Sequence, residues 1–146
     1  DISEGIVSDD VRTEAGTKKV LIVDDSKIAR KQITRCLENI GVEVVALEDG
    51  RQAWEHLSSI IEEGERPQDR YMMLVSDIEM PEMDGYTLTT HIRSNDAMKD
   101  FYVVLHSSLS GVFNQAMVEK VGANDFIAKF DPDVLADNIV RRINHG

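Results

Sequence analysis

Short apolar runs that each close on a polar residue constrain this chain more than any other feature. Val20-Leu21-Ile22-Val23 ends in Asp24-Asp25, and Tyr71 to Ser76 ends in Asp77. Tyr102-Val103-Val104-Leu105 ends in His106-Ser107-Ser108, and Asp125 to Ala128 ends in Lys129. Continuous runs of this length suit strands buried on both faces of a parallel sheet. A fifth strand is predicted over Val42 to Leu47, with Glu48-Asp49-Gly50 as its turn. Between the strands, apolar residues recur at helical spacing. Ala29, Ile33, Leu37 and Ile40 lie between a Ser26 N-cap and a Gly41 stop. Ala53, Trp54, Leu57, Ile60 and Ile61 mark a second helix, followed by a polar connection from Glu62 to Arg70. Leu88 and Ile92 suggest a short third, and Val112 to Val121 a fourth, closed by Gly122. Asp131-Pro132 opens a last helix through Ile143. Five β-α repeats in one 146-residue chain imply an α/β fold. It is doubly wound, with helices on both faces of a parallel sheet and right-handed crossovers.

Charge narrows the function. With 16 basic and 27 acidic residues the net charge is −11, which disfavours binding to nucleic acid or to an anionic membrane. It suits basic partners or a divalent cation. Cys36 is the only cysteine, so no internal disulfide forms, and its helical setting suggests a buried structural thiol. Neither a signal peptide nor an apolar run of membrane-spanning length is present, so a cytosolic location is expected. Residues 1–17 are polar and acidic and read as a linker. Together with the missing initiator Met, they suggest a piece of a longer protein, with one folded domain over 18–146.

Doubly wound sheets place their sites at the carboxyl ends of the strands. Asp24, Asp25, Asp77, Ser107 and Lys129 all fall there. Three crowded carboxylates repel one another and are more comfortable around a divalent cation; an all-oxygen set suits Mg²⁺. With the cation neutralising charge, one carboxylate is free to act as nucleophile, while Lys129 and the Ser107 hydroxyl can meet phosphoryl oxygens. Each residue alone has an ordinary explanation as turn, cap or solvated charge. Their conjunction, in chain order, is what points to phosphoryl transfer. The four histidines show no metal-ligand spacing.

The segments from Val20 to Ser26, Ser76 to Gly85, Leu105 to Ser108 and Gly122 to Lys129 resemble the receiver domains of two-component signalling. The Asp-x-x-Met-Pro-x-Met-Asp-Gly stretch, Asp77 to Gly85, is the most specific part, and the resemblance covers roughly residues 18–146. It implies the flavodoxin/CheY-like (βα)5 fold with strand order 2-1-3-4-5. It also implies that Asp77 accepts phosphate from a histidine kinase. Asp24, Asp25, Asp77 and the Glu79 backbone carbonyl would bind Mg²⁺, and Ser107 and Lys129 would contact the phosphoryl group. Ser107 and Phe126 would act as the conformational switch, although core packing explains Phe126 equally well. Such a domain is no conventional enzyme, though Mg²⁺-dependent self-phosphorylation from a phosphodonor and autodephosphorylation are expected. One departure from the family pattern is Phe130, where a proline usually follows the lysine; a cis bond there would cost about 3–4 kcal/mol.

Leu105 to Gly111, Ala128 to Asp133 and the extended 62–70 connection are further similar to the receiver half of the CheV family of chemotaxis coupling proteins. That likeness implies an upstream CheW-like adaptor domain, a CheA-like kinase as phosphodonor, and a place in the chemoreceptor array without nucleic acid or direct membrane contact. A phosphate sink and an unphosphorylated pseudo-receiver are the alternatives within this fold. Outside it stands a phosphatase of the haloacid dehalogenase type. Asp77-Ile78-Glu79 imitates that enzyme's Asp-x-Asp only loosely. A flavin carrier of the flavodoxin type would need a phosphate loop richer in Ser, Thr and Gly than any present.

Overall fold

The apolar runs form the middle of a five-stranded sheet in the computed structural model, which describes residues 19–107, 115–127 and 131–145. The strands are β1 (Lys19–Val23), β2 (Glu43–Leu47), β3 (Met73–Asp77), β4 (Val103–His106) and β5 (Asp125–Ile127). They pair in parallel in the order β2-β1-β3-β4-β5, as expected. Every residue of β3 and β4, and all of β1 after Lys19, is buried. The edge strand β2 is partly exposed along its length.

Helices cover both faces: α1 (Lys27–Asn39), α2 (Gly50–Glu62), α3 (Pro67–Arg70), α4 (Gly85–Arg93), α5 (Gln115–Val121) and α6 (Pro132–His145). Successive strand side chains point to opposite faces, so β1 feeds two cores. Leu21 and Val23 pack with Leu57, Leu88, Ile92 and Phe101, while Val20 and Ile22 pack with Ile33, Leu37, Leu135 and Ile139. The N-caps follow their side-chain chemistry. Ser26, Asp49 and Asp84 accept from Ala29, Gln52 and Thr87 backbone N–H groups at 3.2, 2.9 and 2.7 Å. Gly41, at φ 83°, ends α1 as its position suggested.

Two local expectations change. Asp49 and Gly50 are not merely the turn after β2; they cap and open α2. The 62–70 connection is not wholly loop, because Pro67 at the first helical position starts the single turn α3. Four residues are too few to display a 3.6-residue period. Cys36 is half-buried, and burial with the nearby Asp133 and Asp131 carboxylates pushes its thiol up, keeping it protonated and inert. The expected linker, residues 1–17, lies outside the described residues, as do the first residues of the expected helix from Val112.

Arg93 ties the far side of the fold together. Its guanidinium donates to the carbonyls of Gly122, Lys99 and Phe101 at 2.8, 2.9 and 2.7 Å, and to Asn124 Oδ1 at 2.8 Å. Two segments, 99–101 and 122–124, thus share one planar donor fork on α4. Arg93→Ala is expected to cost about 2 kcal/mol, read as a lower urea midpoint. Arg93→Met, which keeps the apolar stem, should recover little of it.

Candidate functional site

Parallel register gathers the strand ends. Val23 pairs with Ser76 and Asp77 pairs with His106, so Asp24, Asp77 and His106 arrive at one level. The Ile78 N–H donates to the His106 carbonyl at 3.0 Å, which holds the chain just after Asp77 against β4. One ligand atom from each of Asp24, Asp77 and His106 lies within 4.8 Å of the others, and all three side chains are buried. Asp25 is exposed at the rim.

The two buried carboxylates are only partly satisfied. Asp24 Oδ1 accepts from the Ser26 N–H at 2.8 Å. Asp24 Oδ2 and Asp77 Oδ1 are buried without a hydrogen-bond partner among the described residues. Burial, then the Asp24, Glu79 and Asp25 charges, raise the pKa of Asp77 to about 7, partly offset by a hydrogen bond from the Glu79 N–H. Burial is also the main cause that raises Asp24. Carboxylates this reluctant to ionise, with oxygens aimed at no protein donor, fit a divalent cation as partner.

His106 is the residue that sequence reasoning missed. It is 0% exposed, and its Nε2 stands 3.5 Å from Asp24 Oδ2. Burial lowers its pKa to about 4, so near neutral pH the contact joins a neutral imidazole to the carboxylate and is no ion pair. Spacing along the chain gave no hint of it, because the three residues meet through sheet register. One signal was available: His106 is a polar residue continuing the apolar run of β4, level with the end of β3.

The remaining expected residues divide. The Ser107 hydroxyl donates to the exposed Glu79 carboxylate, 3.1 Å to Oε1 and 3.4 Å to Oε2, which draws Glu79 to the rim. Phe126 is half-buried against the core containing Leu105. Lys129 and the Lys129–Phe130 bond lie outside the described residues. Glu82, in the loop between β3 and α4, has φ 69°, a left-handed conformation costing about 1–2 kcal/mol in a non-glycine residue.

Comparison with known proteins gives a consistent picture. Residues 20–140 match the response regulator receiver domain family. Chemotaxis protein CheY1 of Helicobacter pylori is 32% identical over 123 residues, covering 83% of this chain and 93% of that protein. Chemotaxis protein CheV3 of the same organism is 27% identical over 131 residues, covering 89% of this chain but only 42% of its own length. Among solved structures, the chemotaxis response regulator CheY4 of Vibrio cholerae superposes with a TM-score of 0.72 at 26% identity, covering 86% of this chain and 98% of that one.

Proposed function

The chain belongs to the response regulator receiver domain family, and on that premise we propose that it is a phosphorylatable signalling switch whose acceptor is Asp77. The observation that carries this reading is the setting of that carboxylate. It ends β3 with one oxygen unpartnered, beside Asp24, and its pKa stands near 7. Alone, such a group is half-protonated at neutral pH and a poor nucleophile. Beside a divalent cation it would ionise.

Asp24, Asp25, Asp77 and the Glu79 backbone carbonyl would hold Mg²⁺, which when bound supplies charge neutralisation for the incoming phosphoryl group. An Asp77 oxygen attacks the phosphorus of a phosphohistidine; the new O–P bond forms as the P–N bond breaks. The imidazole of the donor leaves with the bonding pair and takes a proton from water. Lys129 and the Ser107 hydroxyl would meet the transferred oxygens. Ser107 now donates to Glu79, so reaching a phosphoryl group requires it to exchange that partner. The exchange is the first movement of the switch, and Phe126, packed against the same end of the sheet, would follow.

The donor is proposed to be a histidine kinase of the CheA type. The likeness to CheV3 supports a role in adjusting how a CheW-like adaptor couples chemoreceptors to that kinase, with residues 1–17 as the linker between domains. No helix among the described residues is long and apolar enough to cross a membrane. A slowly decaying phosphoryl group favours modulation, and a rapidly decaying one favours a phosphate sink.

Intact mass after incubation with acetyl phosphate tests the reading. A gain of one phosphoryl group that requires Mg²⁺ and is absent in Asp77→Asn is expected; no gain under any condition would overturn it. Glu79→Ala removes a negative charge that bears on Asp77 and releases the Ser107 hydroxyl. Its phosphoryl gain should be several-fold faster, with altered decay. Equal gain and decay in variant and parent would remove Glu79 from the mechanism.

A further inference from the structure

One face of α1 carries charge that the fold around it does not balance. Lys27, Arg30, Lys31 and Arg35 place four of the chain's 16 basic residues on a single helix, although the net charge is −11. Lys27, Lys31 and Arg35 are exposed and follow one another at i, i+4 and i+8, where like charges repel along a helix surface. Lys27, Arg30 and Lys31 also crowd the amino end of α1, which has no acidic residue in its first turn, so they oppose the helix dipole. Among the described residues, none of the four is in an ion pair. Arg30 gives one N–H to the Asp24 carbonyl at 2.8 Å, which holds its guanidinium at the head of this face. With Thr34 and Glu38, these side chains line a cleft of about 530 Å³ against the edge strand β2, and the small, exposed Ala46 leaves room on the strand side.

We propose that this cleft is the docking site of the chain's own residues 1–17, an acidic strap that covers the basic face of α1. The segment carries Asp1, Glu4, Asp9, Asp10 and Glu14 against Arg12 alone. It joins the sheet at Lys19, whose ammonium lies 3.8 Å from Glu43 Oε2 at the start of β2, so it enters beside the strand that borders the cleft. Helix α1 hands over to β2 between Asn39 and Glu43, which puts that entry at the Glu38 end of the cleft. An extended chain advances at most about 3.3–3.6 Å per residue and a helix about 1.5 Å. From Lys19, Glu14 therefore has the length to reach Arg35, and Asp9 and Asp10 to reach Lys31 and Lys27 at the far end. A tether this short keeps the local concentration of the segment high, so individually weak exposed ion pairs add up to a populated contact. An acidic partner approaching α1 would first have to displace the strap. Phosphoryl transfer plays no part in the contact, so the acetyl phosphate result neither supports nor removes it.

Zero-length carbodiimide coupling of the full chain at low salt, followed by peptide mapping, tests the strap. Amide links within one chain from Asp9, Asp10 or Glu14 to Lys27 or Lys31 are expected, with the exposed Lys99 and Lys120 linked far less. Their yield should fall about fivefold or more at about 1 M salt, where the screening length is about 3 Å. In the ¹⁵N-labelled full chain, Asp9→Asn, Asp10→Asn and Glu14→Gln together should shift the amide resonances of Lys27 to Glu38 and of Ala46, while those of α4 stay in place. The three substitutions alter no residue of α1 or β2, so a shift there reports the loss of the contact. No links, links spread evenly over the four lysines, or unmoved α1 resonances in the neutralised chain would each overturn the proposal and leave the face open to an acidic partner. Links found only between chains, in a mixture of ¹⁵N-labelled and unlabelled protein, would assign the face to a second copy and overturn it equally.

Discussion

In metal-free buffer containing a chelator, Asp77→Asn is expected to be more stable than the parent by about 3–4 kcal/mol at pH 8, and no more stable at pH 4. The carboxyl of Asp77 titrates at about 7 in the folded chain against an ordinary 3.8, and each tenfold change in proton affinity is worth about 1.4 kcal/mol. A raised pKa means that the native state holds its proton over a window in which the unfolded chain has lost it. The contribution is therefore fully present below about pH 4 and lost as pH rises through 7. The amide is neutral throughout and keeps nearly the same shape. His106 has the opposite sign. Its pKa is lowered to about 4, so its contribution is present above about pH 6.5 and lost as pH falls through 4. The parent's own pH profile mixes these two slopes, which makes the difference between parent and variant the quantity to measure, by urea unfolding at intervals from pH 4 to 8. A difference that stays flat with pH would mean that Asp77 ionises freely in the fold. Millimolar Mg²⁺ at pH 8 should then close most of the gap, because the cation takes over the charge that burial penalises.

The sequence revealed what depends on local pattern. Runs such as Val20 to Val23 and Val103 to Leu105 are apolar because both sheet faces are covered, and that burial is recorded directly in composition. Asp24 and Asp77 were legible for a related reason: a charged residue ending a buried strand of a doubly wound sheet has few structural excuses. His106 was not legible, since its place beside Asp24 and Asp77 comes from the β3–β4 register, which pairs it with Asp77 across residues distant in sequence. The Arg93 fork escaped notice likewise, because a single exposed-looking arginine on α4 carries no sign of the carbonyls it meets. Helix α3 was missed for want of length. The contact of the Glu79 carboxylate with the Ser107 hydroxyl was not legible either. That contact lies between two strand-end loops whose conformations no periodicity encodes.

Gly85→Ala is expected to cost about 3 kcal/mol and to slow phosphoryl gain on Asp77 sharply, although the residue carries no functional group. Gly85 opens α4, and its N–H donates to the Ile78 carbonyl at 2.9 Å. That hydrogen bond brings the helix so close to the end of β3 that a Cβ at position 85 would stand 2.4 Å from the Asp77 carbonyl oxygen and 3.1 Å from Ile78 Cα. Both neighbours are backbone, so no side-chain rotation relieves the clash. Either α4 withdraws and breaks its bond to Ile78, or the peptide carrying Asp77 moves. Overpacking of this kind typically costs about 1–3 kcal/mol, and a rigid backbone neighbour puts it at the upper end. Gly41→Ala serves as the comparison. It forces alanine into φ 83° but meets nothing within 4 Å, so it should cost about 1–2 kcal/mol of conformational strain. Gly41 follows α1, at the end of the sheet opposite Asp77, and phosphoryl gain should be untouched. If both variants lost stability equally and phosphorylated at the parent's rate, close packing of α4 on the acceptor strand would not be what positions Asp77. A loss of phosphoryl gain confined to Gly85→Ala would instead give the Asp-Gly end of the loop its physical meaning: the aspartate caps α4, and the missing side chain lets the helix seat against the carboxylate's own peptide.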